Sequence, residues 1–563
     1  MTSANLSAVA KVRRRDNARA AASYIAVALA LISLAAPMFR GLHGLFPALL
    51  PEFLVQVSRV YAIFGAFGLL VVAKYLRSGN RVAWAGSMAL LAANTVLHLG
   101  RGADLPVAVL SAAALAWLAW QHRAFPVWPG RVLTRRVIVV TLVVLGAATL
   151  IAAGALVHHA RRTGQSFGAG VGQLFGALNG ELHETSSHPH VAGFIALLIC
   201  LLGTAGWFLW DGMRRRQVGS REQLAARERA RAVLAAHGGG TLDYFALRDD
   251  KAFFFLHNSV VAYAVRGSVA LVSPDPIGPA AEREEVWAEF MLFAERRGCS
   301  VSVMGAAQDW LGIYEASGLR SVYLGDEAIV DSAGFSLAGK KSKSLRQGHA
   351  RLLRAGYRVE HIKAPQVPAA LRAQLLELST QSRQGEAERG FSMTLSRLFD
   401  PLDTELLLSI AFDAADAPQA FIQWVPASKV GGWSLDVMRR STAQELPGGL
   451  TDFIIIETLA MMAGSGGGGL GLNFAVLREA VQGGAGASRL EKLVAKQASK
   501  HAQVASLYKF NAKYDPRWAP RYAAVGTIDL WLAQGLRIAQ AEGYAELPGL
   551  DRFAARAEHQ QDH

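Results

Sequence analysis

Three stretches concentrate side chains able to meet charge on phosphate or ester oxygens. The first, FSLAGKKSKSLRQGHARLLRAGYRVE from Phe335 to Glu360, carries Lys340, Lys341, Lys343, Arg346, Arg351, Arg354 and Arg358. On a helix, Lys343, Arg346, Arg351, Arg354 and Arg358 fall within an arc of roughly 140° while Leu345 and Leu352 point the other way, so one face is expected to pack and the other to grip polyanions. The second, GGWSLDVMRR from Gly431 to Arg440, reads as a strand bearing Trp433, Asp436, Arg439 and Arg440. The third, LYKFNAKYDPRWAPRY from Leu507 to Tyr522, interleaves Lys509, Lys513, Arg517 and Arg521 with Tyr508, Phe510, Trp518 and Tyr522. Cations beside aromatic faces suit nucleic-acid strands and also a membrane interface. Upstream, Lys492, Lys496 and Lys500 recur every four residues and extend the basic surface.

Two other chemistries fail on spacing. Gly334-FSLA-Gly339-Lys340 approaches a phosphate-binding glycine loop, but Lys341 stands where a hydroxyl would hold magnesium and no buried strand feeds it. The loop with His158, His159, His183, His188 and His190 invites a metal, yet His188 follows His183 at five residues, not the four that put two imidazoles on one helical face. The glycine tract Gly464–Gly471 lacks a following lysine and reads as a turn before the strand LGLNF. No metal and no cofactor is therefore expected.

The elements that must hold these residues divide in two. Of 563 residues 52% are hydrophobic and 18% charged, and the apolar excess lies almost wholly before Asp211. Runs near Ala21–Phe39, Phe53–Ala73, Val82–Leu99, Leu105–Trp120, Val137–Val157 and Val191–Trp210 predict about six membrane helices. Basic residues cluster in alternate loops, at Lys11–Arg19, Lys74–Arg81, Arg123–Arg136 and Arg214–Arg216, which places both termini in the cytoplasm of a multi-pass cell-membrane protein. Cys200 and Cys299 suggest neither a disulfide nor a metal pattern. The net charge of +14 implies anionic partners, acidic phospholipid or nucleic acid or both.

After the spans the pattern turns to strands alternating with helices, an α/β arrangement. The runs DYFALR, KAFFFLH, VVAYAVRG, SVALVSPDP and SVSVMGA read as strands, with a helix near Glu284–Arg297. A second unit of the same rhythm has a helix at Pro368–Gln381, strands at Leu407–Asp413, Ala420–Pro426 and Gly432–Met438, and a helix at Asp452–Ala463. The organisation expected is a basic N-terminus (1–20), a transmembrane domain (21–210), a juxtamembrane helical linker (211–240), a first α/β unit (241–334), the basic connecting helix (335–360), a second unit with the catalytic site (361–545) and a polar tail (546–563).

The cytosolic half resembles the catalytic domain of the multiple-peptide-resistance-factor family, the aminoacyl-tRNA-dependent phosphatidylglycerol lysyl- and alanyltransferases. The resemblance rests on KAFFF…VRGSVALVSPDPIGP, FSLAGKKSKSLRQGHARLLRAGY, GFSM…FD, WSLDVMRR…TDFIIIE and YKFNAKYDPRWAPRY, in family order from about Asp243 to Tyr522. It implies two tandem acetyltransferase-like (GNAT-like) folds, aminoacyl-tRNA and anionic phospholipid as partners, and Asp436, Arg439 and Lys513 in the active site. Transfer of lysyl or alanyl groups to phosphatidylglycerol would lower surface charge and raise resistance to cationic peptides. Lys340, Lys341, Lys343, Arg346, Arg351, Arg354, Lys509 and Arg521 are then assigned to tRNA phosphates, and Trp433, Arg440, Glu457 and Asn473 to the substrate pocket. Homo-oligomers are compatible with this reading. Longer family members carry further spans associated with lipid flipping, and no lysyl-tRNA synthetase domain follows here, so charged tRNA is expected from elsewhere.

An aminoacyl ester is already activated, so its transfer to a lipid hydroxyl needs positioning, proton removal and oxyanion stabilisation but neither ATP nor metal. Arg439 and Lys513 are expected at phosphate or oxyanion oxygens and Asp436 at a cation or the substrate's α-ammonium. The proton acceptor is open, a lipid phosphate oxygen being one choice. Competing readings are a diacylglycerol or peptidoglycan-precursor acceptor, and a lipid transporter with a regulatory cytosolic domain.

Overall fold

The computed structural model describes residues 3–35, 68–70, 72–100, 105–127, 220–383, 390–443, 446–476 and 503–541. Most of Phe53–Ala73, the two expected spans after Arg136, the histidine loop, Lys492, Lys496, Lys500 and the tail lie outside those residues.

Among the described residues, eleven strands form one continuous sheet. They are β1 (Ala252–Leu256), β2 (Ser259–Arg266), β3 (Val269–Val272), β4 (Ser300–Ala306), β5 (Arg320–Asp331), β6 (Arg358–Lys363), β7 (Leu407–Phe412), β8 (Pro418–Ala427), β9 (Gly432–Arg440), β10 (Gly469–Val476) and β11 (Arg517–Val525). Across the sheet the order is β1-β2-β3-β4-β11-β5-β10-β9-β8-β7-β6. Residues 517–525, within the range expected for the second unit, thus form a strand inside the first half, antiparallel to both β4 and β5.

Helices on both faces explain why β7 is a wholly apolar run broken only by Ser409. Leu408 and Ile410 meet Leu375 and Leu378 of the helix Ala369–Arg383 on one side. Leu407 and Ala411 meet Ile454, Ile455 and Leu459 of the helix Leu450–Gly464 on the other. That second helix is buried nearly all round, which accounts for its unbroken FIII core. It follows Gly449, whose φ of +95° is the left-handed conformation that glycine tolerates.

Strands β9 and β10 run parallel and pair only at Trp433↔Leu470 and Ser434↔Gly471. Beyond them β10 continues against β5, with a bulge between Gly471 and Phe474. DYFALR, expected as a strand, is instead a 3-10 helix, Asp243–Leu247, whose Tyr244 and Phe245 turn into the core shared by the two halves. The basic helix is shorter than its stretch of sequence, Lys343–Arg354, with Leu345 and Leu352 buried. Arg358 leaves the helical arc and opens β6, where it pairs with Glu360 and Asp416.

The N-terminal helices Ser3–Ala35, Arg81–Gly100 and Leu105–Trp120 pack through small residues such as Ala22, Ala26 and Ala114 around Leu69, Leu91 and Leu118. No helix among the described residues is long and apolar enough to cross a membrane. Tyr24, Leu31, Val109, Leu110 and Trp120 of these helices are exposed.

Candidate active site

Each α/β half holds its cations differently, and this decides which can meet a substrate. Lys513 follows the helix Gln503–Ala512 and places its Nζ 2.8 Å from both carboxylate oxygens of Asp452. Asp452 lies in the first turn of the Leu450–Gly464 helix, where a carboxylate is favoured by the helix dipole. Tyr514 donates its hydroxyl to the same carboxylate from a buried position. Burial, and then the Asp452 charge, push the Tyr514 phenol well above its usual range, so it stays a donor at neutral pH. Lys513 spends two N–H donors on Asp452 and rests against the Phe510 ring at 4.4 Å. Those are its hydrogen bonds among the described residues, and the side chain is one-third exposed.

A cleft of about 300 Å³ opens at the start of that helix. It is lined by Arg440, Ser441 and Thr442 where β9 ends and by Leu446, Gly448 and Leu450. The basic helix abuts this wall, because Arg351 donates to the Gly448 carbonyl at 2.7 Å. On its packed side His349 sits 2.6 Å from Glu457 and edges the Phe453 ring, pinning the two helices together. Lys340, Lys341 and Lys343 are exposed, and Lys341 reaches Asp515 at 3.5 Å, bringing the lysine loop beside the Lys513 turn. Arg346 folds that loop back by donating to the carbonyls of Leu337 and Gly339, and Arg354 donates to Ala350 within its own helix. Lys509 is exposed on the helix before Lys513.

The other expected site residues stand apart from this group. Asp436 is the extra residue of a bulge in β9, where Leu435 faces Trp424 and Val437 faces Gln423. Its buried carboxylate accepts from Thr394 Oγ1 and the Leu395 N–H, both at 2.8 Å, and from Gln423 Nε2 at 2.7 Å. Arg439 reaches Ser379 Oγ at 3.3 Å on the helix Ala369–Arg383. Asp436 and Arg439 thus have partners on the opposite face of the sheet from Lys513, and the three do not form one constellation. Trp433 is covered by Lys363, whose Nζ lies 4.2 Å from the ring. Asn473 falls at the β10 bulge.

Arg521, expected on tRNA phosphate, is instead a closed ion pair. It donates to Glu327 Oε2 at 2.6 and 3.0 Å, to Thr241 Oγ1 at 3.0 Å and to the Gly305 carbonyl at 3.4 Å, and Glu327 is fully buried. Asp452, Tyr514 and His349 were not singled out from sequence. The signals available were an aspartate opening the FIII helix and a tyrosine beside Lys513, with nothing to link positions 61 residues apart.

Residues 231–525, more than half of the chain, match the family model described as phosphatidylglycerol lysyltransferase, C-terminal. The lysylphosphatidylglycerol biosynthesis bifunctional protein LysX of Mycobacterium ulcerans is 35% identical over 326 residues, 56% of this chain and 29% of that protein. LysX of Gordonia bronchialis is 28% identical over 93% of this chain and 48% of its own length. The chain therefore spans at most about half the length of these relatives. The structure of L-PGS from Bacillus licheniformis superposes with a TM-score of 0.51 at 24% identity, covering 59% of this chain and 99% of that one, so the two share a fold.

Proposed function

The chain belongs to the phosphatidylglycerol lysyltransferase C-terminal family, and on that premise we propose that it transfers a lysyl or alanyl group from aminoacyl-tRNA to a hydroxyl of phosphatidylglycerol. The observation that carries the reading is the cleft at the start of the Leu450–Gly464 helix, flanked by the basic helix, with Lys513 held on Asp452 in the first turn of that same helix. The exposed lysines of the 340–343 segment and Arg351 and Arg354 track the tRNA backbone, while the cleft takes the esterified 3′ end. Lys513, oriented by Asp452 and Tyr514, donates its remaining N–H to the oxyanion that forms as the lipid hydroxyl attacks the ester carbonyl. The attacked carbon then expels the tRNA ribose hydroxylate, which regains the proton shed by the lipid hydroxyl. Arg440 at the cleft rim meets the lipid phosphate.

We read the two halves as tandem GNAT-like units. The N-terminal helices are placed in the cell membrane, with both termini and the cleft on the cytoplasmic side; the exposed apolar side chains of Tyr24, Leu31 and Val109 support lipid contact. Lowered surface charge and resistance to cationic peptides follow from this activity.

The test is movement of radiolabel from charged tRNA into the organic phase, using the full chain in phosphatidylglycerol vesicles. Transfer should be stopped by RNase and indifferent to ATP. Binding of tRNA should fall steeply with salt and fall further in a Lys343→Glu/Arg354→Glu variant, alike across tRNA species. Label that survives RNase overturns the function, and unchanged affinity in the variant overturns the tRNA path.

A further inference from the structure

The N-terminal helices and the first α/β half meet at the end of one helix. Glu295, in the last turn of Arg283–Arg296, is buried, with Oε1 2.8 Å from Arg19 Nη2 and Oε2 3.4 Å from Arg15 Nη1. A carboxylate at a helix C-terminus is disfavoured by the helix dipole, whereas guanidinium groups at that end are favoured. The arginines of the first helix thus offset what Glu295 costs in that position.

The contact is shaped as well as charged. Arg19 Nε also donates to the Ala124 carbonyl at 2.6 Å, and a Cβ at Gly79 would stand 2.7 Å from the Arg19 guanidinium carbon. Gly298, with φ +67°, lets the same helix end abut the 78–79 turn, so that a Cβ there would lie 3.1 Å from the Ser78 carbonyl oxygen and 3.8 Å from the Ser78 Cβ. A second tie comes from Arg77, which pairs with Asp16 and donates to Thr527 Oγ1 at 3.1 Å, just after β11.

We propose that the Arg15/Arg19–Glu295 contact is a fixed joint that sets how the catalytic half faces the lipid surface, making it a positioning element for bilayer-held acceptor. The inference rests on the lipid-acylation reading above. Breaking it changes the angle at which the cleft meets a membrane without altering the cleft. A misoriented site loses near-attack geometry for an acceptor fixed in a bilayer, but not for one that diffuses freely.

The experiment compares phosphatidylglycerol in vesicles with a short-chain, water-dispersed phosphatidylglycerol, both offered to the full-length protein with charged tRNA. Glu295→Gln should lower transfer to vesicle lipid about tenfold or more and leave transfer to dispersed lipid within about twofold. A second variant, Arg15→Gln/Arg19→Gln, removes the same contact from the other side and should give the same split between the two lipids. Equal loss on both lipids, or no loss on either, in either variant overturns the joint. Absence of RNase-sensitive transfer in the unmodified chain on both lipids would instead overturn the activity on which it rests.

Discussion

Arg521, in the first half of the sheet, is closed in with its partner, while Lys513, beside the second, sits with its partner at an opening. Arg521 and Lys513 come from one basic and aromatic stretch and each faces a carboxylate. Arg521 lies against a Glu327 with no exposed surface, while Lys513 and Asp452 remain about one-third and one-quarter exposed. A buried pair has already spent its electrostatic capacity on its partner, whereas a half-exposed one can still answer charge that develops on a substrate. Residue type and local motif do not separate these cases; the depth of the partner does.

The sharpest way to break the contrast is Glu327→Ala. It leaves the Arg521 guanidinium buried without its anion and should cost about 3–5 kcal/mol of stability, read as a lowered urea midpoint. A cost below about 1 kcal/mol would put Arg521 in the same class as a surface cation. Next comes Lys513→Ala, expected to lower transfer about a hundredfold while the unfolding midpoint stays near that of the parent. Asp436→Ala should do the reverse, since it orphans buried donors on Thr394, Leu395 and Gln423: a stability loss of about 1–3 kcal/mol, with transfer per folded molecule largely kept. Near-normal transfer in Lys513→Ala, or complete loss in a well-folded Asp436→Ala protein, would exchange their roles.

The smallest effect concerns the closed half and pH. Burial raises the Asp275 carboxyl to about 7, against the lowering effect of hydrogen bonds from Tyr314 and the Ala307 N–H. Because the folded protein holds this proton more tightly than the unfolded chain, stability from this group is full below the ordinary value of 3.8 and is lost as pH rises through about 7. The difference in unfolding free energy between the parent and Asp275→Asn should shift across that window and level off above it. A difference that does not change with pH would show an Asp275 ionised throughout.

Periodicity alone disclosed much of the framework. The spacing of Leu345 and Leu352 marks the packed face of the basic helix, and short apolar runs mark β7, β8 and β9 within a few residues. DYFALR misled because a short apolar run has no period that distinguishes a strand from a turn of 3-10 helix. The site was less legible. Strand alternation could not reveal that a bulge turns Asp436 to the face carrying Gln423 and Thr394, nor that Glu327 waits for Arg521 194 residues away. Partners so distant in sequence are fixed by sheet order, which no local pattern contains.

That sheet order also governs when the protein can come into being. Strand β11 fills the gap between β4 and β5, so the first half is an incomplete sheet until Val525 has been synthesised. On the ribosome, β4 and β5 must wait with open edges through the whole of the second half, a long-range closure of the kind that slows folding and exposes strands to mispairing. The basic helix between the halves is consequently no seam along which the chain can be divided. A gene split there would yield two fragments that need each other to finish a single sheet.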